Sequence, residues 1–355
     1  MLQPDDYGIW PNPICATLDM AVSGLASWQL KLASRAPASI TTSVPKPAWR
    51  RRWQGVAGTG SLSLWTEGLG ICRALSRGFG HARRDMGTGR SGQFRGQTNQ
   101  ENVMNQIEKA KRFSELHVNG TPLVLYNAWD AGSAKSILEA GALAIATSSW
   151  AVAEAQGYRD GEAIPIEFVE QVTARIVATI DVPVTVDFEG GYSDVDDDLA
   201  GNVARLLDLG VIGINFEDRV VKGSGLYDIA RQAARIAAIR ETAQKSGAGF
   251  FINARTDLFL GQGRDAARSI GEALDRAKAY ADAGASGFFI PGLTDAALIG
   301  RICEGAPLPV NVMVMDGVPA NDELAKLGVA RISYGALPYI RAMSDLQQAA
   351  KKALS

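Results

Sequence analysis

Histidine and cysteine are nearly missing from this chain of 355 residues, which holds two histidines, His81 and His117, and three scattered cysteines, Cys15, Cys72 and Cys303. That inventory excludes a disulfide framework or a zinc knuckle, and argues against Ser-His-Asp or Cys-His catalysis. No apolar run approaches the roughly eighteen residues that span a bilayer. The N-terminus also lacks the ordered basic, apolar and small-residue stretches of a secretory signal. The expectation is a cytoplasmic protein with no membrane partner. An apolar content of 46%, a charged content of 21% and a net charge of −2 exclude a wholly disordered chain.

Charge divides the chain in two. Residues 1–103 carry 12 Lys and Arg against 6 Asp and Glu, whereas residues 104–355 carry 24 against 32. Five of the seven tryptophans (Trp10, Trp28, Trp49, Trp53 and Trp65) fall in the first part, among Gly, Ser, Pro and Arg without a sustained period. Arg50, Arg51, Arg52, Arg83 and Arg84 form basic clusters there but sit on no recognisable nucleic-acid motif, so no nucleic-acid partner is expected. This stretch reads as a low-order basic extension, or as sequence upstream of the true start. Periodic sequence begins at Met104.

Residues 104–355 alternate short β-branched runs with longer helical periods. Strands are expected at Leu123–Asn127, Leu143–Thr147, Val184–Asp187, Gly213–Glu217, Phe250–Asn253, Gly287–Ile290, Val310–Met313 and Ala330–Ser333. Between them, Val169, Val172 and Ile176 repeat at helical spacing, as do Ile229, Ala233 and Ile236, and Ile270, Leu274, Ala277 and Ala281. Gly141, Gly210, Gly284 and Gly328 each stand between a helix and the next strand, where a left-handed stop is wanted. Eight βα units in about 250 residues is the size of a (β/α)8 barrel, whose chemistry lies at the C-terminal strand ends.

Those ends carry Asn127 with Asp130; Ser148 and Ser149; Asp187 with Glu189; Glu217 with Asp218; Asn253 with Arg255 and Asp257; Asn311; and Tyr334. Some of these, Asp130 in particular, are expected to cap the following helix. Capping does not explain Asp187, Glu189 and Glu217 gathered at two neighbouring strand ends. Carboxylates crowded in a pocket call for a cation, and oxygen ligands without imidazole or thiolate favour Mg2+, or Mn2+, over zinc or copper. The competing reading is that one acid pairs with Arg219 or Lys222 as an ordinary ion pair. Tyr126, Trp129 and Trp150 are candidate pocket walls.

The runs Asp187-Phe188-Glu189-Gly190-Gly191-Tyr192, Gly213-Ile214-Asn215-Phe216-Glu217-Asp218 and Asn253-Ala254-Arg255-Thr256-Asp257 resemble the isocitrate lyase and phosphoenolpyruvate mutase superfamily. So do Thr147-Ser148-Ser149-Trp150, Tyr158-Arg159-Asp160-Gly161 and Ser333-Tyr334-Gly335-Ala336-Leu337-Pro338-Tyr339, and the resemblance covers 121–342. It implies that Asp187 binds Mg2+ directly while Glu189 and Glu217 hold its waters. It further implies that Ser148, Ser149 and nearby backbone act as an oxyanion hole, that Arg255 forks onto a substrate carboxylate, and that Asp160 is an acid near the site. A homo-oligomer, dimer or tetramer, is implied as well.

The loop Asp218-Arg219-Val220-Val221-Lys222-Gly223-Ser224-Gly225-Leu226-Tyr227 separates the subfamilies. It lacks the Cys and His of the lyase signature, and resembles the Lys-Thr-Asn-Ser-Leu loop of phosphonate-handling members only in part, with Ser224 at the Asn position. Gly223 and Gly225 suggest that Lys222 rides on a mobile gate and serves in proton transfer. The expected function is a Mg2+-dependent lyase or decarboxylase cleaving a C–C bond of a small 2-hydroxy or 2-oxo dicarboxylate through an enolate. One alternative is a phosphonopyruvate or phosphoenolpyruvate enzyme acting on a P–C bond. Another is a barrel that binds metal and carboxylate without turnover.

Overall fold

The structure is a computed structural model that describes residues 106–261 and 265–355. The basic extension read over residues 1–103 therefore lies outside the described residues. Eight parallel strands form one sheet in the order β1-β8-β7-β6-β5-β4-β3-β2. They are β1 (Leu123–Leu125), β2 (Ile145–Ala146), β3 (Val184–Asp187), β4 (Gly213–Glu217), β5 (Phe251–Arg255), β6 (Gly287–Phe289), β7 (Val310–Met313) and β8 (Arg331–Ser333). The sheet closes at the β1–β2 seam, where Ala128 donates to Ala146 (2.8 Å) and accepts from Ser148 (3.2 Å). The chain is a (β/α)8 barrel, as the sequence pattern predicts.

Helices alternate with the strands: α1 over 106–115, α2 (Ala131–Glu139), α3 (Ser149–Ala155), α4 (Ile166–Thr179), α5 (Asp196–Asp208), α6 (Ile229–Ser246), α7 (Ala266–Asp282), α8 (Ala296–Gly305), α9 (Asn321–Lys326) and α10 (Leu337–Leu354). A 3-10 turn (Asp257–Phe259) follows β5. The four glycine stops all hold φ between 89° and 97°, where a Cβ would be strained, so each ends its helix and turns the chain into the next strand. Asp130 caps α2 in a reciprocal capping box with Ser133. No helix among the described residues is long and apolar enough to cross a membrane.

Alternation of side chains along each strand builds two different interiors. Val186, Ile214, Ile252, Phe288, Val312 and Ile332 point outward and pack under the helices with Leu199, Leu206, Ile236, Ile239, Ala277 and Ile299. The inward positions are unusually polar. Arg331 on β8 reaches Asn215 on β4, a strand that is not its neighbour, with Nη2 3.0 Å from Oδ1. That contact must cross the barrel. Asn253 donates to the same oxygen at 2.8 Å, and Ser333 bridges Arg331 to Asn311. Burial pulls the Arg331 guanidinium down to about 9, against the opposing field of Asp187. At the opposite end of the barrel from the strands' C-termini, α1 contributes Ala110 and Phe113, which pack on Leu123, Leu125 and Phe251.

The last helix is the exception to this packing. Only Pro338 of α10 is buried, and the outward side chain of Val124 on β1 is 41% exposed. Leu346 and Leu354 of α10 are also exposed apolar residues.

Gly213 at the start of β4 shows how tightly the strands meet. A Cβ there would lie 2.6 Å from the carbonyl oxygen of Phe251, a backbone atom with little freedom to move. Gly213→Ala is therefore expected to destabilise the barrel by ~1–3 kcal/mol, the usual cost of overpacking, read as a lowered thermal midpoint with the far-ultraviolet spectrum retained.

Candidate active site

The C-terminal rim brings the expected acids together. Asp187 ends β3, and its Oδ2 accepts from both the backbone N–H (3.0 Å) and the hydroxyl (2.8 Å) of Ser149. Its other oxygen lies 3.3 Å from Asn215 Nδ2, so the interior polar layer reaches up to this carboxylate. The Ser149 hydroxyl also lies 3.3 Å from Asp160. Ser148, by contrast, has its hydroxyl turned to the cap of α3, accepting from Ala151 N–H. Ser149 and its backbone are thus the donors directed at the acids, and Ser148 serves the helix start.

Glu189 and Glu217 complete the cluster by different routes. Glu189 stands on the turn after β3 and accepts from the backbone N–H of Glu162 at 2.8 Å. Glu217 ends β4 and pairs with Arg255 Nη1 at 2.9 Å. Of the ion pairs at this rim, Lys222 stands 3.6 Å from Glu162, and Glu217 takes Arg255. Arg255 also forks onto Asp257, with Nε–Oδ1 at 2.6 Å and Nη2–Oδ2 at 3.1 Å. Its bidentate face is thus turned to Asp257, and a substrate carboxylate would meet the remaining N–H groups on Nη1 and Nη2.

Burial and mutual repulsion dominate the electrostatics. Burial first, then the charges of Asp160 and Asp187, push the Glu189 carboxyl up to about 8. Asp160 is raised by burial and by Asp187. Burial raises Glu217 well above the usual range while Arg255 pulls against it. A cluster that resists ionisation in this way would gain from a hard cation. Among the described residues no three His, Cys, Asp or Glu groups converge into a ready coordination shell. The donor chemistry, carboxylate oxygens without imidazole or thiolate, suits a hard ion such as Mg2+, which keeps several waters and needs only one or two direct carboxylates.

Several contributors were not read from the sequence. Arg235, on the buried face of α6, donates to the carbonyls of Gly190 (2.6 Å) and Ser193 (2.9 Å), and its guanidinium lies over the rings of Phe216 and Tyr227. It braces the turn that carries Glu189. The only available signal was a charged residue inside an otherwise apolar helical stripe, beside Ile236 and Ile239. Asp218, read from the sequence only as a strand-end acid, accepts from Asp257 N–H, Tyr280 and Arg276, fixing the segment that holds Arg255. Glu162, two residues after Asp160, was also passed over. Glu162 (55°), Glu189 (49°) and Tyr192 (64°) are the non-glycine residues with left-handed φ among the described ones. Each such conformation costs ~1–3 kcal/mol and concentrates strain at this rim.

Other predicted positions are arranged as follows. The loop after β4 is a hairpin: Val220 N–H bonds Gly225 O, Tyr227 N–H bonds Asp218 O, and Lys222 and Ser224 stand exposed at its tip. A cavity of about 210 Å³ beside it is lined by residues including Glu162, Tyr192, Arg219, Lys222 and Arg235. Trp129 and Trp150 meet the ring of Tyr339 edge-on. Asn311 is buried in the interior layer, bonded to Ser333. Tyr126, just beyond the end of β1, is exposed, and its ring lies against Tyr334.

The comparisons agree with the fold. The family described as phosphoenolpyruvate phosphomutase matches residues 113–354. The chain belongs to that family, within the isocitrate lyase and phosphoenolpyruvate mutase superfamily. A protein of Mycobacterium tuberculosis (strain H37Rv), uncharacterized by name, is 37% identical over 67% of this chain and 87% of its own. The phosphoenolpyruvate phosphomutase of Streptomyces hygroscopicus is 30% identical over 61% and 70%, and the 2-methylisocitrate lyase of Escherichia coli is 28% identical over 66% and 80%. A Burkholderia cenocepacia structure provisionally named a phosphonomutase is 45% identical, with a TM-score of 0.68 over 70% of this chain and 99% of that one. A phosphonopyruvate hydrolase in complex with oxalate and Mg2+ shares the fold at 20% identity and a TM-score of 0.59, over 69% of this chain and 85% of that one.

The raised Glu189 carboxyl makes metal-free stability depend on pH. Its folded value of about 8 stands above the ordinary 4.5. The folded chain therefore holds a proton that the unfolded chain releases, and this contribution is lost as pH rises through about 8. Metal-free protein is expected to lose thermal stability between pH 5 and 8.5, and Mg2+ to raise the midpoint more at pH 8 than at pH 5. Glu189→Gln should flatten that difference in a thermal-shift titration.

Proposed function

We propose that this chain is a Mg2+-dependent lyase or decarboxylase that cleaves a C–C bond in a small 2-hydroxy or 2-oxo dicarboxylate. The observation that carries the reading is half-buried Asp187 with buried Glu189 and Glu217, and Ser149 and Arg255 beside them at one rim. Asp187 would hold the ion, with Glu189 and Glu217 holding its waters. Bound there, Mg2+ supplies Lewis-acid polarisation of the substrate's carboxylate and 2-oxo oxygens.

The chain's own residues do the rest. Arg255, fixed by Asp257 and Glu217, orients a substrate carboxylate through its remaining N–H groups. Ser149 and Asp160, 3.3 Å apart, would hold a proton for the reaction. Lys222 closes from the hairpin tip, excludes water and returns a proton to the enolate carbon after the bond breaks. With Ser224 at the loop position where phosphonate-handling relatives are expected to carry Asn, the hairpin offers a migrating phosphoryl group one fewer amide contact.

A second reading, P–C bond chemistry on phosphonopyruvate or phosphoenolpyruvate, is favoured by the 45% identical structure named for that activity. Turnover separates the two. The full chain with Mg2+ is expected to release pyruvate or another 2-oxo acid from oxaloacetate or a substituted malate without inorganic phosphate, and Asp187→Ala should lower kcat/KM at least a hundredfold. Phosphate release confined to phosphonopyruvate would establish the second reading instead. Oxalate binding with silence across the whole panel would favour a binding protein without turnover.

We also infer a homo-oligomer, in which α10 of one copy covers the exposed β1 face around Val124 on another. Leu346→Asp is expected to lower the mass measured by light scattering on a sizing column, because it places a charge on the exposed apolar side of α10.

A further inference from the structure

The Glu162 side chain is 4% exposed and lies between the hairpin after β4 and the turn that carries Glu189. Its Oε2 faces Lys222 Nζ at the hairpin tip, 3.6 Å away. Its Oε1 accepts from the backbone N–H of Tyr192 at 2.7 Å. Its own backbone N–H donates to Glu189 Oε2 at 2.8 Å. The three non-glycine residues with left-handed φ are therefore joined to one another through Glu162. Strain of this kind persists only where the surroundings over-determine it. A Cβ on Gly190, between Glu189 and Tyr192, would stand 3.1 Å from Glu162 Oε1 and 2.8 Å from Val221 on the hairpin. The turn, the hairpin and Glu162 are packed as one unit.

We propose that Glu162 is a positioning residue that couples the hairpin to the metal-site turn: when Lys222 pairs with it, the carboxylate holds Tyr192 and its backbone holds Glu189 in place. This rests on the metal reading of Asp187, Glu189 and Glu217. The link is not a general surface ion pair, because the lysine side chain is 73% exposed while its partner is almost wholly enclosed. Loss of the lysine would remove the cation 3.6 Å from this enclosed carboxylate and loosen its hold on the turn.

A double-mutant cycle on Mn2+ affinity tests the coupling, with free Mn2+ measured by electron paramagnetic resonance in the full chain. Glu162→Gln keeps an acceptor for Tyr192 but loses the charge that draws Lys222, and Lys222→Met removes the other partner. Each single variant is expected to weaken Mn2+ binding roughly tenfold, as loss of support around a metal ligand does, and the double variant should be no weaker than either single one. Trypsin cleavage after Lys222 should accelerate in Glu162→Gln, since the hairpin tip is released. Wild-type affinity in Lys222→Met, additive effects in the double variant, or unchanged cleavage would each overturn the coupling. Absence of Mn2+ binding by the wild-type chain would instead overturn the metal reading and the coupling with it. An unfolded Glu162→Gln, recognised by circular dichroism, passes the decision to Lys222→Met, whose site is exposed.

Discussion

Repulsion among carboxylates that water screens only in part is the constraint around which this barrel is built. Exposed Asp160, half-buried Asp187 and buried Glu189 and Glu217 gather at one rim, and each is met by a specific donor: Ser149 for Asp187 and Asp160, the Glu162 amide for Glu189, and Arg255 for Glu217. These contacts make the cluster tolerable but leave Glu189 raised. Further out, the braces serve the donors. Asp257 and Asp218 hold Arg255, and Arg235 holds the turn under Glu189. The guanidinium of Arg331 places a positive charge in the barrel interior, linked through Asn215 to Asp187. Such a layer gives up the apolar packing usual inside these barrels. It supplies in return a fixed field beneath the acids.

Much of the fold was legible in the sequence because barrels repeat. Eight β-branched runs and four glycine stops carry the same local message several times, and β3, β4 and β7 begin and end where the apolar runs do. β1 and β2 are shorter than their runs, since beyond Leu125 and Ala146 the chains pair by single bridges instead of a ladder. The acids were legible for a related reason: strand ends in a parallel barrel all face one rim, so Asp187, Glu189 and Glu217 had to meet there. Glu162, Arg235 and Arg331 were not legible, because each owes its role to a partner far along the chain. Arg235 and Gly190 are 45 residues apart, and Arg331 and Asn215 are 116 apart. Arg255 shows the intermediate case, in which the residue type is readable but its fork is taken by Asp257, two positions away.

Unequal exposure of the two ends of the Lys222–Glu162 pair also shapes how salt should act. The lysine is hydrated and screened, so ions in the medium weaken its approach, while the enclosed end keeps its contact with Tyr192. The rim therefore separates a part tuned by solvent from a part fixed by packing.

The β1–β2 seam has a consequence for how the barrel breathes. Where the other strand pairs are ladders, this one is fastened by two backbone hydrogen bonds linking Ala128 to Ala146 and Ser148, the latter immediately before Ser149. Sheets come apart where they are least knitted, so the seam is the natural line of first parting. Parting there would leave the end of β2, with the Ser149 donors of Asp187, held from the β3 side alone. The first loosening of the cylinder then falls beside its chemical rim, and wear on the scaffold would register there before it registered as lost fold.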